Sequence, residues 1–118
     1  MTTATIIQGV QAGSQNEANV AAALDKLGLQ YQFQYSWGGG RVLGGQVIDF
    51  IVYTKPKPTP VYVQGAYWHG GKKAMESKLK MWQVEAASRG YWAKPVALEE
   101  EETSTPEKAL DTVKRKVA

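Results

Sequence analysis

The chain has 118 residues, no cysteine, one histidine, and a net charge of +3 from 14 basic and 11 acidic residues. That length predicts one domain with a core that needs no covalent staple. The composition excludes a disulfide scaffold, a cysteine-ligated metal, a thiol nucleophile and a histidine-only metal site. No apolar run nears the ~18 residues of a membrane span, and the first residues carry no secretory pattern, so an intracellular, membrane-free protein is expected. The charge is uneven: residues 1–98 hold ten basic and five acidic residues, while residues 99–118 hold four and six. A basic body favours polyanions as partners.

Residues 1–13 are small and polar and read as a flexible arm; residues 14–118 read as one domain. Ser14-Gln15-Asn16-Glu17 has the form of a helix capping box. Val20, Leu24 and Leu27 then recur at helical spacing, and Gly28 supplies a stop, which predicts a helix over 15–27. From Leu29 to Trp37 apolar and polar residues alternate, predicting a strand with Tyr31, Phe33, Tyr35 and Trp37 on one buried face. These aromatics read as core rather than as a stacking platform. Residues 38–45 hold five glycines and read as a turn.

Gln46 to Thr54 is apolar on both faces, which predicts a central strand. Lys55 to Pro60 is a stiff connector with three prolines. Val61 to Trp68 predicts a third strand, with Tyr62 and Gln64 on one face and Val61 and Val63 on the other. A helix follows over 72–89, then a fourth strand over 91–98 that Pro95 assigns to a sheet edge. Ser104-Thr105-Pro106-Glu107 opens a last helix, striped by Leu110, Val113 and Val117.

Asp49 is the strongest anomaly. An unpaired carboxylate in the middle of an apolar strand is costly to bury, so it needs a hydrogen bond, an ion pair (Arg41 or Lys94 are candidates) or a cation. Gln64 on the following strand offers a neutral oxygen near the same point. Glu17 lies on the apolar stripe of the first helix, where the cap explains it better than a site does. His69 closes the third strand and could transfer a proton or hold a phosphate. Lys72, Lys73, Lys78 and Lys80 read either as a solvated helix face or as phosphate contacts. No phosphate-binding loop of the Gly-Lys-Ser/Thr type and no nucleophile elbow is present.

The Glu17 helix, the strand Gly45-Gln46-Val47-Ile48-Asp49-Phe50 and the strand Val61-Tyr62-Val63-Gln64-Gly65 together resemble the PD-(D/E)XK nuclease superfamily. Val63-Gln64-Gly65-Ala66-Tyr67-Trp68-His69 looks like the matching segment of the very-short-patch-repair-like endonucleases. The resemblance spans about residues 14–98. It implies an α/β, restriction-endonuclease-like αβββαβ core: a mixed four-stranded sheet flanked by helices, here with an extra C-terminal helix. It also implies a Mg²⁺-dependent endodeoxyribonuclease of bacterial or phage origin, cytoplasmic, acting in repair, recombination or phage DNA processing, for which a homodimer is one arrangement that cuts both strands. Asp49, Gln64 and Glu17 would hold Mg²⁺, with Mn²⁺ as substitute, and His69 would join them in catalysis. Lys72, Lys73, Lys78, Lys80 and Arg41 would contact DNA. The chain departs from the family pattern where Gln64 replaces an acid and Ala66 a lysine. A binding domain of the same fold that does not cut is the alternative.

Overall fold

A computed structural model describes residues 6–37, 46–64, 81–83, 85 and 90–118. Helix α1 (Gln15–Lys26) starts where the capping residues predict: Ser14 Oγ accepts from the Glu17 amide, at 3.2 Å. It ends at Leu27, and Gly28 takes the left-handed conformation (φ 72°) that a side chain would resist. Strands β3 (Tyr31–Trp37), β4 (Gln46–Val52), β5 (Thr59–Val63) and β6 (Val96–Leu98) form one sheet in that order. The pairs β3–β4 and β4–β5 are antiparallel and β5–β6 is parallel, so the sheet is mixed, as expected. Helix α2 (Pro106–Lys116) closes the order, with Thr105 as its cap, accepting from the Lys108 amide.

Several expectations are corrected. Residues 6–11 are not part of a loose arm: they form a hairpin of β1 (Ile6–Ile7) and β2 (Val10–Gln11). Its two central residues, Gln8 and Gly9, both have positive φ (50° and 82°), which suits a two-residue hairpin turn. Ile7 is buried, and the Gln8 side chain explains why the hairpin sits where it does. Its amide nitrogen donates to Tyr31 O and its amide oxygen accepts from the Phe33 N–H, at 2.8 Å for the latter. One side chain thus satisfies two groups on the outer edge of β3, a position that otherwise invites pairing with foreign strands.

Strand β5 begins earlier than expected, at Thr59, and Pro60 is inside it, paired with Ile51. The parallel ladder to β6 begins only at Val61, so the missing Pro60 N–H leaves no gap in it. The expected continuation of β5 over 65–68 lies outside the described residues. Strand β6 is short: Tyr91 is exposed and the 91–95 segment is held instead by the Ala93 amide on Pro58 O, at 2.7 Å. It is an edge strand, as Pro95 suggests. Of the expected helix over 72–89, Met81, Trp82, Gln83 and Glu85 are described, and they are helical.

The core has two parts. Val20, Ala21 and Leu24 of α1 and Ala109 and Val113 of α2 pack on Phe33, Phe50, Val52, Val61 and Leu98. On the other side, Ile51 and Tyr62 pack with Ile48, Tyr35, Met81 and Trp92. Helical residues therefore cover both sides of the sheet. The alternation expected for β3 fails at one point, because Phe33 belongs to the first cluster and Tyr35 to the second. Between them Gln34 has φ 54°, a left-handed conformation that turns the strand out of its regular pleat.

Glu99 to Glu102, read as a plain acidic run, leads into a 3-10 segment (Glu100–Thr103) that is tied to α1. The Asn16 side chain donates to Glu100 O and Thr103 Oγ1, both at 2.9 Å, and buried Asn19 donates to Thr103 O at 2.9 Å. Thr112 of α2 adds a bond to Glu102 O, at 2.9 Å. The joint between the two helices is therefore polar and fully buried at Thr103.

Candidate functional site around Asp49

The β3–β4 register pairs Phe33 with Phe50 and Tyr35 with Ile48, so Gln34 stands across from Asp49. The β4–β5 ladder runs from Val52–Thr59 to Phe50–Val61 and stops there. Continued one step, it sets Tyr62 across from Asp49 on the other side. Asp49 thus occupies the point where β4 and β5 cease to pair.

The backbone shows what the carboxylate does at that point. Along a strand, successive N–H groups point to opposite edges. The Gln64 N–H reaches β6 by donating to Leu98 O at 2.8 Å, so the Val63 N–H points to β4. It donates to Asp49 Oδ2 at 2.8 Å. A side-chain oxygen replaces the ladder acceptor, which explains how a half-buried acid is tolerated between Ile48 and Phe50, both fully buried.

Tyr62 lies on the Ile51 side of the sheet and is 8% exposed. Burial, and then the negative charge of Asp49, push its phenol well above the ordinary tyrosine range. Tyr62 therefore stays protonated at every physiological pH. Val61 and Val63 belong to the opposite core cluster, so strand alternation carries Gln64 to the Tyr62 side. Gln64 is buried (9% exposed). Asp49 and Tyr62 thus lie together where the β4–β5 pairing ends, and the chain continues there into buried Gln64.

Glu17 is placed differently. It begins α1, which covers the other side of the sheet, and its Oε1 accepts from the Gly13 N–H at 2.9 Å. The expected capping box is therefore shifted by one residue, the Glu17 carboxylate taking the amide before Ser14, and its described bonds lie within its own helix start. His69, Lys72, Lys73, Lys78, Lys80 and Arg41 lie outside the described residues. Among the described residues, no three His, Cys, Asp or Glu side chains gather into a metal-binding group. Nor, among them, is any helix long and apolar enough to cross a membrane.

The remaining donor set suits only a hard cation of low protein demand. Mg²⁺ accepts one or two protein oxygens and keeps several waters, so a carboxylate and an amide oxygen fit it. An ionised carboxylate offers about four lone-pair positions, so accepting the Val63 N–H is compatible with binding a cation. Tyr62 and Gln34 were not singled out as site residues. The alternation of β5 carries the signal for Tyr62, since it shares the Gln64 face, whereas nothing in the sequence marks the conformation of Gln34. Comparison of the chain with family models, with curated proteins and with solved structures yields no match.

Proposed function

We propose that the protein is a metal-dependent endodeoxyribonuclease whose reaction centre is Asp49. One observation carries this reading: a half-buried carboxylate at the point where two central strands stop pairing. The element order helix, three strands, helical segment, strand supports it, because the resemblance to the nuclease superfamily predicts that order.

Asp49 and Gln64 would hold Mg²⁺. When bound, such an ion polarises a phosphoryl oxygen and lowers the pKa of water, which is the chemistry that phosphodiester hydrolysis needs. Asp49 is kept in place by the Val63 N–H, so its second oxygen has a fixed direction. Tyr62, whose phenol is pushed up by burial and by the charge of Asp49, would serve beside it as a hydrogen-bond donor and not as a base. His69 would supply the proton transfer, and Lys72, Lys73, Lys78, Lys80 and Arg41 would hold the DNA backbone. A homodimer would allow both strands to be cut.

The Val63–Asp49 bond also favours a second reading, a DNA-binding domain that does not cut, because a structural duty alone accounts for the acid. Supercoiled plasmid incubated with Mn²⁺ separates the two. The first reading requires nicking by the wild type and none by Asp49→Asn, which keeps an acceptor for Val63. Equal nicking by both proteins overturns it. Absence of nicking with retention of plasmid in a gel-shift assay selects the second.

A further inference from the structure

A cleft of about 570 Å³ lies at the end of the sheet away from the Asp49 group. Leu29, Ala93, Val117 and Ala118 line one part of it, and the Thr54–Thr59 turn, with Lys55 and Lys57, lines the other. Both lysines are exposed, and the turn that carries them is fixed from within. Thr54 Oγ1 bonds to Lys57 O and to Thr59 Oγ1, each at 2.6 Å, and Thr59 is buried.

We propose that this cleft binds a nucleotide, with its ring on the apolar part and its phosphate at Lys55 and Lys57. The size is that of an ordinary small-ligand site, and an apolar part with few polar groups at one side is the usual composition of such sites. The orientation follows from charge. Val117 is the C-terminal cap of α2, where the helix dipole is negative, so a phosphate is disfavoured on that wall and favoured on the lysine turn. The ring then lies toward Val117 and Ala93. Two ammonium groups on a turn of fixed shape hold a phosphate as point charges and read no base. The choice of a nucleotide over other anions with an apolar body rests on the nuclease reading. There the cleft would seat a nucleotide of the bound strand well away from the point of cleavage. Asp49 and Thr54 are five residues apart, on the order of 17 Å along extended chain.

The test is a ¹H–¹⁵N titration of the full chain with deoxyadenosine 5′-monophosphate, inorganic phosphate, deoxyadenosine and a short oligothymidylate. The monophosphate is expected to shift the amides of Lys55, Lys57, Thr59, Ala93 and Val117. Phosphate alone and the nucleoside alone should bind at least tenfold more weakly. The double variant Lys55→Ala/Lys57→Ala should weaken the monophosphate tenfold or more, and Ala93→Glu, which brings an acid to the apolar part, should do the same. Shifts of the same amides by the oligothymidylate identify the ligand as a strand; shifts by the mononucleotide only identify it as free. No shift at these residues at millimolar ligand, or shifts unchanged by both variants, overturns the proposal. Because the readout is binding without metal, equal nicking by wild type and Asp49→Asn would overturn the cleavage reading without changing these shifts, and failure here leaves the cleavage test intact.

Discussion

Asp49 Oδ2 lies 2.8 Å from the amide nitrogen of Val63, and that bond stands where a backbone carbonyl of β4 would otherwise accept. The acid is therefore part of the sheet as well as of the candidate site. A substitution at Asp49 mixes the two roles unless the acceptor is kept. Asp49→Ala leaves the Val63 N–H without its partner and should cost about 1–3 kcal/mol. Asp49→Asn retains an acceptor and should cost less than about 1 kcal/mol. Urea unfolding of the two variants measures the difference. Both variants should lose Mn²⁺-dependent nicking, so activity falls together in them while stability separates.

Gln34 is exposed and holds φ 54° opposite Asp49. A left-handed conformation costs a side-chain-bearing residue roughly 1–2 kcal/mol, and glycine avoids that cost at an entropy penalty of roughly 0.5–1 kcal/mol. Gln34→Gly should therefore raise stability by about 0.5–1 kcal/mol. Gln34→Val, β-branched at positive φ, should lower it by more than about 1 kcal/mol. A thermal unfolding series of the two variants reads both signs. A destabilised glycine variant would mean that the Gln34 side chain contributes more than its exposure suggests.

Gln8 combines a positive φ with two bonds to the edge of β3. Gln8→Gly relieves the backbone and loses the bonds; Gln8→Ala loses the bonds and keeps the strain. The glycine variant should be the more stable of the two by about 1 kcal/mol, with both below wild type. Uncovering Tyr31 O and the Phe33 N–H also frees an edge for pairing. Both variants should show more self-association than wild type in sedimentation at equal concentration.

Glu102 carries the pH dependence of the C-terminal part. Burial pushes its carboxyl up, but the hydrogen bond from Lys116, the bond from the Glu99 amide and the charges of Lys116 and Arg115 together hold it below its ordinary value. A depressed native pKa adds stability above the unfolded value, near pH 4.5, and that stability disappears as pH falls through the native value. The site is close to the surface, so the contribution is under about 1 kcal/mol. Glu102→Gln should be less stable than wild type at pH 7, and the difference should vanish as pH falls below the lowered native value of Glu102. Denaturant midpoints across that range give the crossover.

The parts of the fold that were legible are those that local rules decide. Ser14, Glu17 and Gly28 bound α1, Pro106 opens α2, and alternation identifies β3 and β4. Asp49 stood out because an acid in an apolar strand requires an explanation. Its partner did not, since a bond to the Val63 N–H exists only where two strands part, and a ladder's end leaves no mark in the sequence. The β1–β2 hairpin was missed for a related reason. A glutamine in a left-handed turn position is unfavourable locally, and what stabilises it is the edge of β3, far away in the chain. Strand β6 was overextended because Tyr91 and Trp92 look like strand residues, whereas the Ala93–Pro58 bond fixes that segment otherwise.

The amide groups of Asn16 and Asn19 bear on how the chain is made. During synthesis α1 emerges long before Thr103, yet the side-chain nitrogen of buried Asn19 donates to the Thr103 carbonyl, while its oxygen already has Gln15 within the helix. Until that residue leaves the ribosome, docking α1 on the nascent sheet would bury a polar side chain without its acceptor. The Thr103 carbonyl thus links the seating of α1 to that of the chain's last part, since Thr112 of α2 bonds the neighbouring Glu102 carbonyl.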